Sequence, residues 1–294
     1  MHDAPGSTCT GSLGTVTPDV TRRPTTSVRV SVWSGDAVRE RPDRIVTEEP
    51  MEIRIHPPND DAAPLVVIMR TPGHDFELAV GFCLTEGIIE RGSDLAEVRY
   101  CLGPDAQQEY NVVTVATRRP VDVTGRDRGF VSGASCGVCG KATLDQLEVA
   151  CAPVSDGPRI ALPILLDLPR RLRSAQKLFD VTGGLHAAGL FTAGGDLQVV
   201  REDVGRHNAV DKLVGHAVLG SGLPLEESVL VVSGRVSFEI VQKAARAGIA
   251  VLVAISAPSS LAVATAERLG LTLVGFVRDD RANVYSRPER VVAA

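Results

Sequence analysis

The C-terminal part of the chain alternates short apolar runs with longer amphipathic segments. The apolar runs are residues 229–232, 250–255 and 271–277, and the segments with helical periodicity between them are residues 238–247 and 258–269. Gly248 and Gly270 stand where helices usually end, and Pro258 suits the first turn of a helix. Because alternating strands and helices return the chain repeatedly to one sheet, the pattern indicates an α/β fold and predicts a largely parallel sheet.

The preceding part of the chain mixes strand-like and helical patterns. The pattern predicts, in order, strands at residues 28–33, 51–56 and 65–69, a helix at 74–86, strands at 98–102 and 111–116, a hairpin of strands 185–192 and 197–201, and a helix at 206–219. Gly194, Gly195 and Asp196 form the expected hairpin turn. Cys83 lies on the apolar stripe of the first helix, so we expect it in the core.

Composition argues against a membrane-spanning protein and against a broad nucleic-acid-binding surface. Residues 1–27 are rich in Thr, Pro, Ser and Gly and lack the apolar stretch of a signal peptide, which is typical of a disordered tail. No apolar run is long enough to span a bilayer, and the net charge of −5 argues against a broad nucleic-acid surface. Six cysteines in an unexported chain of 294 residues favour reduced thiols in the cytoplasm. We therefore predict a tail (1–27), a smaller N-terminal α+β domain (28–132) and an α/β domain (133–294).

Two cysteines, Cys136 and Cys139, lie three positions apart in a glycine-rich segment before a predicted helix. Small neighbours leave the sulfur atoms uncovered, and both Lys141 and the helix N-terminus favour thiolate over thiol. The residues alone leave three interpretations: redox or sulfur-transfer chemistry, a pair of zinc ligands, or an incidental pair in a tight turn. The reactive surroundings favour the first.

Residues 233–239 lead from a predicted strand into a helix and include Gly234 and Arg235. A glycine turn, an arginine and a new helix N-terminus suit a phosphate or another oxyanion. The chain contains neither Gly-x-Gly-x-x-Gly nor Gly-Lys-Ser/Thr, so neither a dinucleotide fingerprint nor a P-loop is supported.

Two more segments suggest chemistry. His207 and Asp211 lie one helical turn apart, so the carboxylate could orient the imidazole as an acid or base. A structural hydrogen bond, with Asp203 as the helix N-cap, is an equal alternative. Residues 275–281 follow the last predicted strand, where ligands of open α/β sheets collect. There, two arginines and an aromatic ring could bind phosphates and stack on a base, although a solvated loop has the same composition.

Taken together, these segments resemble the FdhD family, the sulfurtransferase accessory proteins of formate dehydrogenase. The resemblance extends from about residue 48 to residue 290. The matching segments are residues 69–75 (MRTPGHD), 136–140 (CGVCG), 182–188 (TGGLHAA), 202–212 (EDVGRHNAVDK), 234–239 (GRVSFE), 256–262 (SAPSSLA) and 283–285 (NVY). So many segments in one order make the match specific.

The resemblance implies a function. The protein would accept sulfane sulfur from a cysteine desulfurase as a persulfide on Cys136, with Cys139 as its partner. It would pass the sulfur to molybdenum bis(molybdopterin guanine dinucleotide), which then enters formate dehydrogenase. The stretch that the resemblance implies for cofactor binding comprises Phe276, Val277, Arg278, Asp279, Asp280 and Arg281, to which we add Arg235 from its glycine loop. The family fold is similar to that of cytidine deaminases, and a homodimer is expected.

Three other functions are alternatives to sulfur transfer: a zinc site, a cofactor-binding chaperone and a dithiol oxidoreductase. Deaminase-type zinc sites need His-x-Glu and Pro-Cys-x-x-Cys, whereas Ser135 precedes the cysteine pair and no His-x-Glu occurs, so we expect no permanently bound metal. A cofactor-binding chaperone without sulfur transfer would need the arginines but not the cysteines. A dithiol oxidoreductase would cycle the cysteine pair between dithiol and disulfide, but a thioredoxin-like βαβ start is missing.

Overall fold

A computed structural model of the protein describes residues 23–101, 110–121, 131–132, 151–220, 222–278 and 280–293. Its strands are β1 (Thr25–Ser34), β2 (Ala37–Val46), β3 (Glu49–His56), β4 (Ala63–Arg70), β5 (Leu95–Tyr100), β6 (Val112–Thr117), β7 (Val131–Ser132), β8 (Ile160–Ala161), β9 (His186–Thr192), β10 (Leu197–Asp203), β11 (Ser228–Val232), β12 (Val251–Ala254), β13 (Thr272–Arg278), β14 (Arg281–Ser286) and β15 (Val291–Val292). Its helices are α1 (Asp75–Thr85), α2 (Leu162–Ala175), α3 (Lys177–Thr182), α4 (Arg206–Leu219), α5 (Phe238–Arg246) and α6 (Ser260–Leu269), with short 3-10 helices at Gly92–Asp94 and Pro288–Arg290.

A six-stranded sheet with the order β10-β9-β11-β12-β13-β14 forms the larger half of the structure. Only β11, β12 and β13 run parallel, whereas β10 with β9, β9 with β11 and β13 with β14 are antiparallel. The prediction of a largely parallel sheet is therefore wrong. The physical reason is that the tight β9–β10 and β13–β14 hairpins reverse the chain, so β9 and β14 run antiparallel to their neighbours.

Both faces of this sheet are covered, which explains the continuous apolar runs in its central strands. Leu230, Leu252 and Leu273 point to the face covered by α4, α5 and α6. The alternating positions, among them Val229 and Val251, point to the other face and pack with leucines of α2. Because successive side chains of a strand point to opposite faces, each apolar run contributes residues to both hydrophobic clusters.

The smaller sheet has the order β5-β6-β3-β4-β7, and α1 joins it to the larger one by packing across α4. The two helices cross at glycines. A Cβ on Gly81 would lie 1.8 Å from the backbone oxygen of Asp211, and a Cβ on Gly215 would lie 1.8 Å from that of Glu77. Only residues without a side chain permit this approach, so one apolar cluster extends through both sheets.

Local pattern failed to predict several elements. The exposed β1–β2 ribbon includes β2, whose sequence AVRERPDRIV is mostly charged, and α2 contains Pro169 in its interior. Among the described residues, no helix has the length and apolarity needed to cross a membrane.

Candidate functional site

One edge of the six-stranded sheet collects the loops that contain most of the predicted site. The start of β9 and the ends of β11, β12 and β13 all lie there, because β9 is antiparallel to its parallel neighbours. Backbone hydrogen bonds join these loops: Val236 N donates to Ala257 O at 3.1 Å, Ser259 N to Val236 O at 2.9 Å, and Phe276 N to Ser256 O at 3.2 Å. The loops are therefore held together by the protein's own backbone.

Phe276 leaves the regular course of β13. Its φ of 52° is in the left-handed region, and the pairing of β13 with β14 shifts register between Gly275 and Arg278. The bulge leaves the Phe276 side chain 38% exposed, whereas Val277 is 1% exposed and belongs to the core. A bulky residue at positive φ costs about 1–3 kcal/mol, and such strain concentrates at ligand sites. The Phe276 ring is therefore presented to solvent at this edge, while Val277 offers a ligand only its backbone.

Arg278 and Arg281 are paired across the β13–β14 hairpin, and both are exposed. Like charges at opposite positions repel each other, and a bound anion would relieve that repulsion. Asp280 is exposed in the same turn, and Asp279 lies outside the described residues. The fold thus brings Phe276 and the two arginines together at one corner of the sheet.

Arg235 is exposed in the loop that follows β11. Since β12 separates β11 from β13, Arg235 lies roughly 10 Å along the edge from Arg278, from the ordinary spacing of neighbouring strands. The predicted cofactor-binding residues therefore share one edge but form two groups.

His207 does not have the partner that its spacing suggested. Its Nε2 lies 3.2 Å from Ser237 Oγ and 3.7 Å from Glu239 Oε2, at the start of α5. Burial, with Arg206 and Lys243 nearby, lowers the pKa of His207 to about 4. The hypothesis that Asp211 orients this imidazole is wrong, because the Asp211 carboxylate is bound to Lys243 and Thr85 instead. His207 is neutral near pH 7 and links the starts of two helices.

Asp211 is bound to Lys243 and Thr85 in the interior. Lys243 Nζ lies 3.0 Å from both carboxylate oxygens of Asp211, and Thr85 Oγ1 donates to Asp211 Oδ1 at 2.7 Å. Burial alone would lower the pKa of Lys243, but Asp211 and Glu86 together hold it above its ordinary value. This cluster joins α1, α4 and α5, and it is structural.

Asp203 is not the N-cap of α4; Gly205 occupies that position. The buried Asp203 carboxylate instead accepts hydrogen bonds from the backbone of Thr71 at 3.1 Å and of Gly205 at 2.8 Å, and from Asn208 Nδ2 at 2.8 Å. It also lies 2.7 Å from Lys212 Nζ. Much of the segment 202–212 therefore serves to hold the β4–α1 loop against α4.

Cys136 and Cys139 lie outside the described residues. Among the cysteines that the structure does describe, Cys83 and Cys101 are buried, as predicted for Cys83. Cys101 Sγ lies 2.9 Å from Thr114 Oγ1. Burial raises the pKa of Cys151, whose thiol is half-buried. None of these three thiols is placed for attack on an external sulfur donor.

Comparison with known proteins agrees with the motifs. The FdhD/NarQ family model matches residues 46–292. Similar curated proteins include the sulfur carrier protein FdhD of Streptomyces coelicolor, 53% identical over 263 residues (87% of this chain, 91% of the relative). Another is the sulfur carrier protein FdhD of Mycolicibacterium paratuberculosis, 52% identical over 267 residues (88% and 95%).

A similar solved structure is the crystal structure of a protein proposed to be a formate dehydrogenase accessory protein, from Desulfotalea psychrophila. It has a TM-score of 0.71 and 27% sequence identity, and the match covers 92% of this chain and all of the other. The family model, the curated relatives and the solved structure agree over nearly the whole chain. The chain therefore belongs to the FdhD/NarQ family.

Proposed function

We propose that this protein is a sulfur carrier that receives sulfane sulfur on Cys136 from a cysteine desulfurase. It passes the sulfur to molybdenum bis(molybdopterin guanine dinucleotide), its substrate, for use by formate dehydrogenase. The observation on which this rests is the pair Cys136 and Cys139 in a chain of the FdhD/NarQ family, whose similar curated members are named sulfur carrier proteins.

The positions of the three cysteines that the structure describes support this choice of nucleophile; Cys9 lies outside the described residues. Cys83 and Cys101 are removed from solvent, and burial raises the pKa of Cys151. A sulfur carrier needs an accessible thiolate, since the thiolate is the attacking form. The glycine-flanked pair meets the composition expected of such a site.

In the loading step, the Cys136 thiolate attacks the terminal sulfur of the donor persulfide. The donor's S–S bond breaks as the new S–S bond forms on Cys136, and the donor leaves as a thiolate. The donor persulfide is reduced to a thiolate as the Cys136 thiolate is oxidised to a persulfide, so the step needs no external oxidant or reductant.

Two roles for Cys139 leave different products. As a resolving thiol it would attack Cys136, release the terminal sulfur as hydrosulfide and leave a Cys136–Cys139 disulfide for a cellular thiol reductant to open. As a relay it would take the sulfur itself and leave the Cys136 thiol free. Mass spectrometry of the protein after transfer, without reductant, distinguishes these products.

The sheet edge described above supplies the proposed acceptor site. Phe276 is exposed at a strained position, and Arg278, Arg281 and Arg235 lie along the same edge. Arginine is suited to phosphates and an exposed aromatic ring to a base, which matches a guanine dinucleotide.

The test is to incubate the reduced full chain with a cysteine desulfurase and cysteine, and to measure intact mass with and without reductant. A reductant-labile gain of about 32 Da that is absent from Cys136→Ser supports the proposal. Cys151→Ser is the matched control and retains the gain. No gain in the unsubstituted protein, with an active desulfurase and accessible thiols, contradicts it.

A second candidate is a chaperone that binds the dinucleotide without transferring sulfur, and the exposed arginines favour it equally. Measuring how well each variant activates formate dehydrogenase distinguishes the sulfur carrier from the chaperone. Under the sulfur-carrier proposal Cys136→Ala abolishes activation while the arginine variants weaken it; under the chaperone alternative only the arginine variants do.

The proposal also includes a cytoplasmic homodimer, the two-domain division predicted from sequence, a cytidine-deaminase-like layering of the α/β half, and no resident metal. Light scattering on the purified chain measures the oligomeric state. Metal analysis of the same sample, compared with a variant lacking both Cys136 and Cys139, tests the zinc alternative.

A further inference from the structure

Gly234 lies next to two side chains from separate elements. A Cβ placed on Gly234 would lie 3.2 Å from His186 Nδ1 and 3.7 Å from Arg206 Cβ. His186 begins β9, Arg206 begins α4, and Gly234 follows β11. The fold therefore brings an imidazole and a guanidinium-bearing side chain close to a loop position that has no side chain of its own.

Two arginine side chains near Gly234 have no partner among the described residues. Within the described parts of the chain, neither Arg206 nor the adjacent Arg235 forms a hydrogen bond or ion pair, and Arg206 Nε is buried without a partner. By contrast, Arg201 on the neighbouring strand β10 donates from both Nε and Nη2 to the carboxylate of Glu77. A buried guanidinium nitrogen without an acceptor is costly, and an anion is the group that satisfies it.

The acidic group that acts on His186 is already paired with a lysine. The carboxylate that acts on His186 is that of Asp203, which is already bound to Lys212. Burial, followed by the charges of Arg206 and Arg235, lowers the pKa of His186. A neutral imidazole presents one N–H donor, so the cluster offers two cations and a donor.

We propose that Arg206, Arg235 and His186 form an oxyanion subsite that binds a pyrophosphate group of the dinucleotide substrate. This inference rests on the proposed function and adds the place of the phosphates. In the sheet, β11 is the second strand from β13 and β9 is the third. At the ordinary spacing of neighbouring strands, the subsite therefore lies about 10–14 Å along the edge from Phe276. One extended ligand can therefore place its base at the β13–β14 corner and its phosphates beside α4.

The test is calorimetric titration of the full chain with inorganic pyrophosphate, and separately with inorganic phosphate, at low ionic strength. The unsubstituted protein is expected to bind one pyrophosphate, and to bind it more tightly than phosphate. Arg206→Gln and Arg235→Gln should each raise the Kd about tenfold or more, because each removes a charge-assisted contact. Gly234→Val, whose side chain would crowd His186 and contact Arg206, should do the same.

Arg159→Gln is the matched control. Arg159 is exposed and directly precedes β8, which pairs with β15 away from this edge, so its loss should leave the Kd unchanged. Thermal unfolding of each variant verifies that it is folded, and Arg206→Lys provides a charge-preserving variant should Arg206→Gln not fold. Unchanged pyrophosphate binding in a folded Arg206 or Arg235 variant, or no binding by the unsubstituted protein, overturns the subsite.

Failure of the subsite and failure of the proposed function give different results. Sulfur loading is measured on the unsubstituted protein by its 32 Da mass gain and does not involve pyrophosphate. Loading without arginine-dependent pyrophosphate binding overturns only the subsite. Arginine-dependent binding without loading supports the subsite and contradicts the sulfur-carrier function.

Discussion

The Asp203 carboxylate lies 2.7 Å from the ammonium group of Lys212, and both side chains are almost wholly removed from solvent. Lys212 Nζ also donates to the backbone oxygen of Thr71 at 2.8 Å, and Asn208 Nδ2 donates to that of Met69 at 2.8 Å. The pair therefore holds the β4–α1 loop against the start of α4, beside the proposed oxyanion subsite.

Removing one partner of this pair should destabilise the protein strongly. Lys212→Met leaves the Asp203 charge buried without its cation, and we expect a loss of about 3–5 kcal/mol in the free energy of unfolding, measured by urea denaturation. Arg29→Met breaks an exposed pair with Glu40 and should cost less than about 1 kcal/mol. A Lys212→Met variant as stable as Arg29→Met would contradict this account.

Because α1 and α4 cross at glycines, a substitution there should also lower the free energy of unfolding. Gly81→Ala places a methyl group 1.8 Å from a backbone oxygen, so the helices must separate; we expect a cost of about 3 kcal/mol. Gly92→Ala is the control, since its Cβ would lie 3.5 Å from the nearest atom, the Val218 side chain, in ordinary contact. Chemical denaturation of both variants measures the difference, and equal stabilities would refute the close crossing.

His207 predicts a pH dependence of stability. Its pKa is about 4 in the folded protein against an ordinary value of 6.5, so between these values the unfolded chain binds the proton and the folded protein does not. The free energy of unfolding should therefore fall as the pH drops from about 6.5 to 4, with a His207 contribution of at most about 1.4 kcal/mol per pH unit.

Denaturation of the unsubstituted protein and of His207→Asn at several pH values in this window measures the contribution. The slope of the variant should be shallower, because asparagine does not titrate. Parallel slopes in the two proteins would show that His207 is accessible to protons in the fold.

Phe276 predicts a separation of stability from function. Phe276→Gly removes a strained φ of 52° and little buried surface, so the free energy of unfolding should stay the same or rise by up to about 1 kcal/mol. Activation of formate dehydrogenase should nevertheless fall, because the proposed stacking surface is lost. Phe191→Ala, at a fully buried position, should instead cost about 3–5 kcal/mol. Full activation by Phe276→Gly would exclude the ring from the site.

Local periodicity predicted most elements of the larger half. The helix expected over residues 206–219 is α4, and the hairpin expected at Gly194 to Asp196 joins β9 and β10. Such elements are predictable because a buried stripe or run is a property of neighbouring positions. The charged strand β2 and the proline-containing helix α2 were missed, since neither shows the pattern of a half-buried element.

The contacts of His207 could not be predicted from its spacing along the chain. Asp211 lies one turn away on the same helix, yet His207 contacts Ser237 and Glu239 while Asp211 binds Lys243. Spacing along α4 shows which side chains share a face. It does not show which side chains of the neighbouring helix lie opposite each position.

The family, the cysteine pair as a candidate site and the alternation of central strands and helices follow from the amino-acid sequence, because each depends on residue types at short spacings. Three-dimensional packing is needed to show that Phe276 faces solvent while Val277 joins the core, through a bulge set by pairing with β14. It also brings His186 and Arg206 next to Gly234. These residues are distant along the chain, and only the register of β9 against β11 and the packing of α4 bring them together.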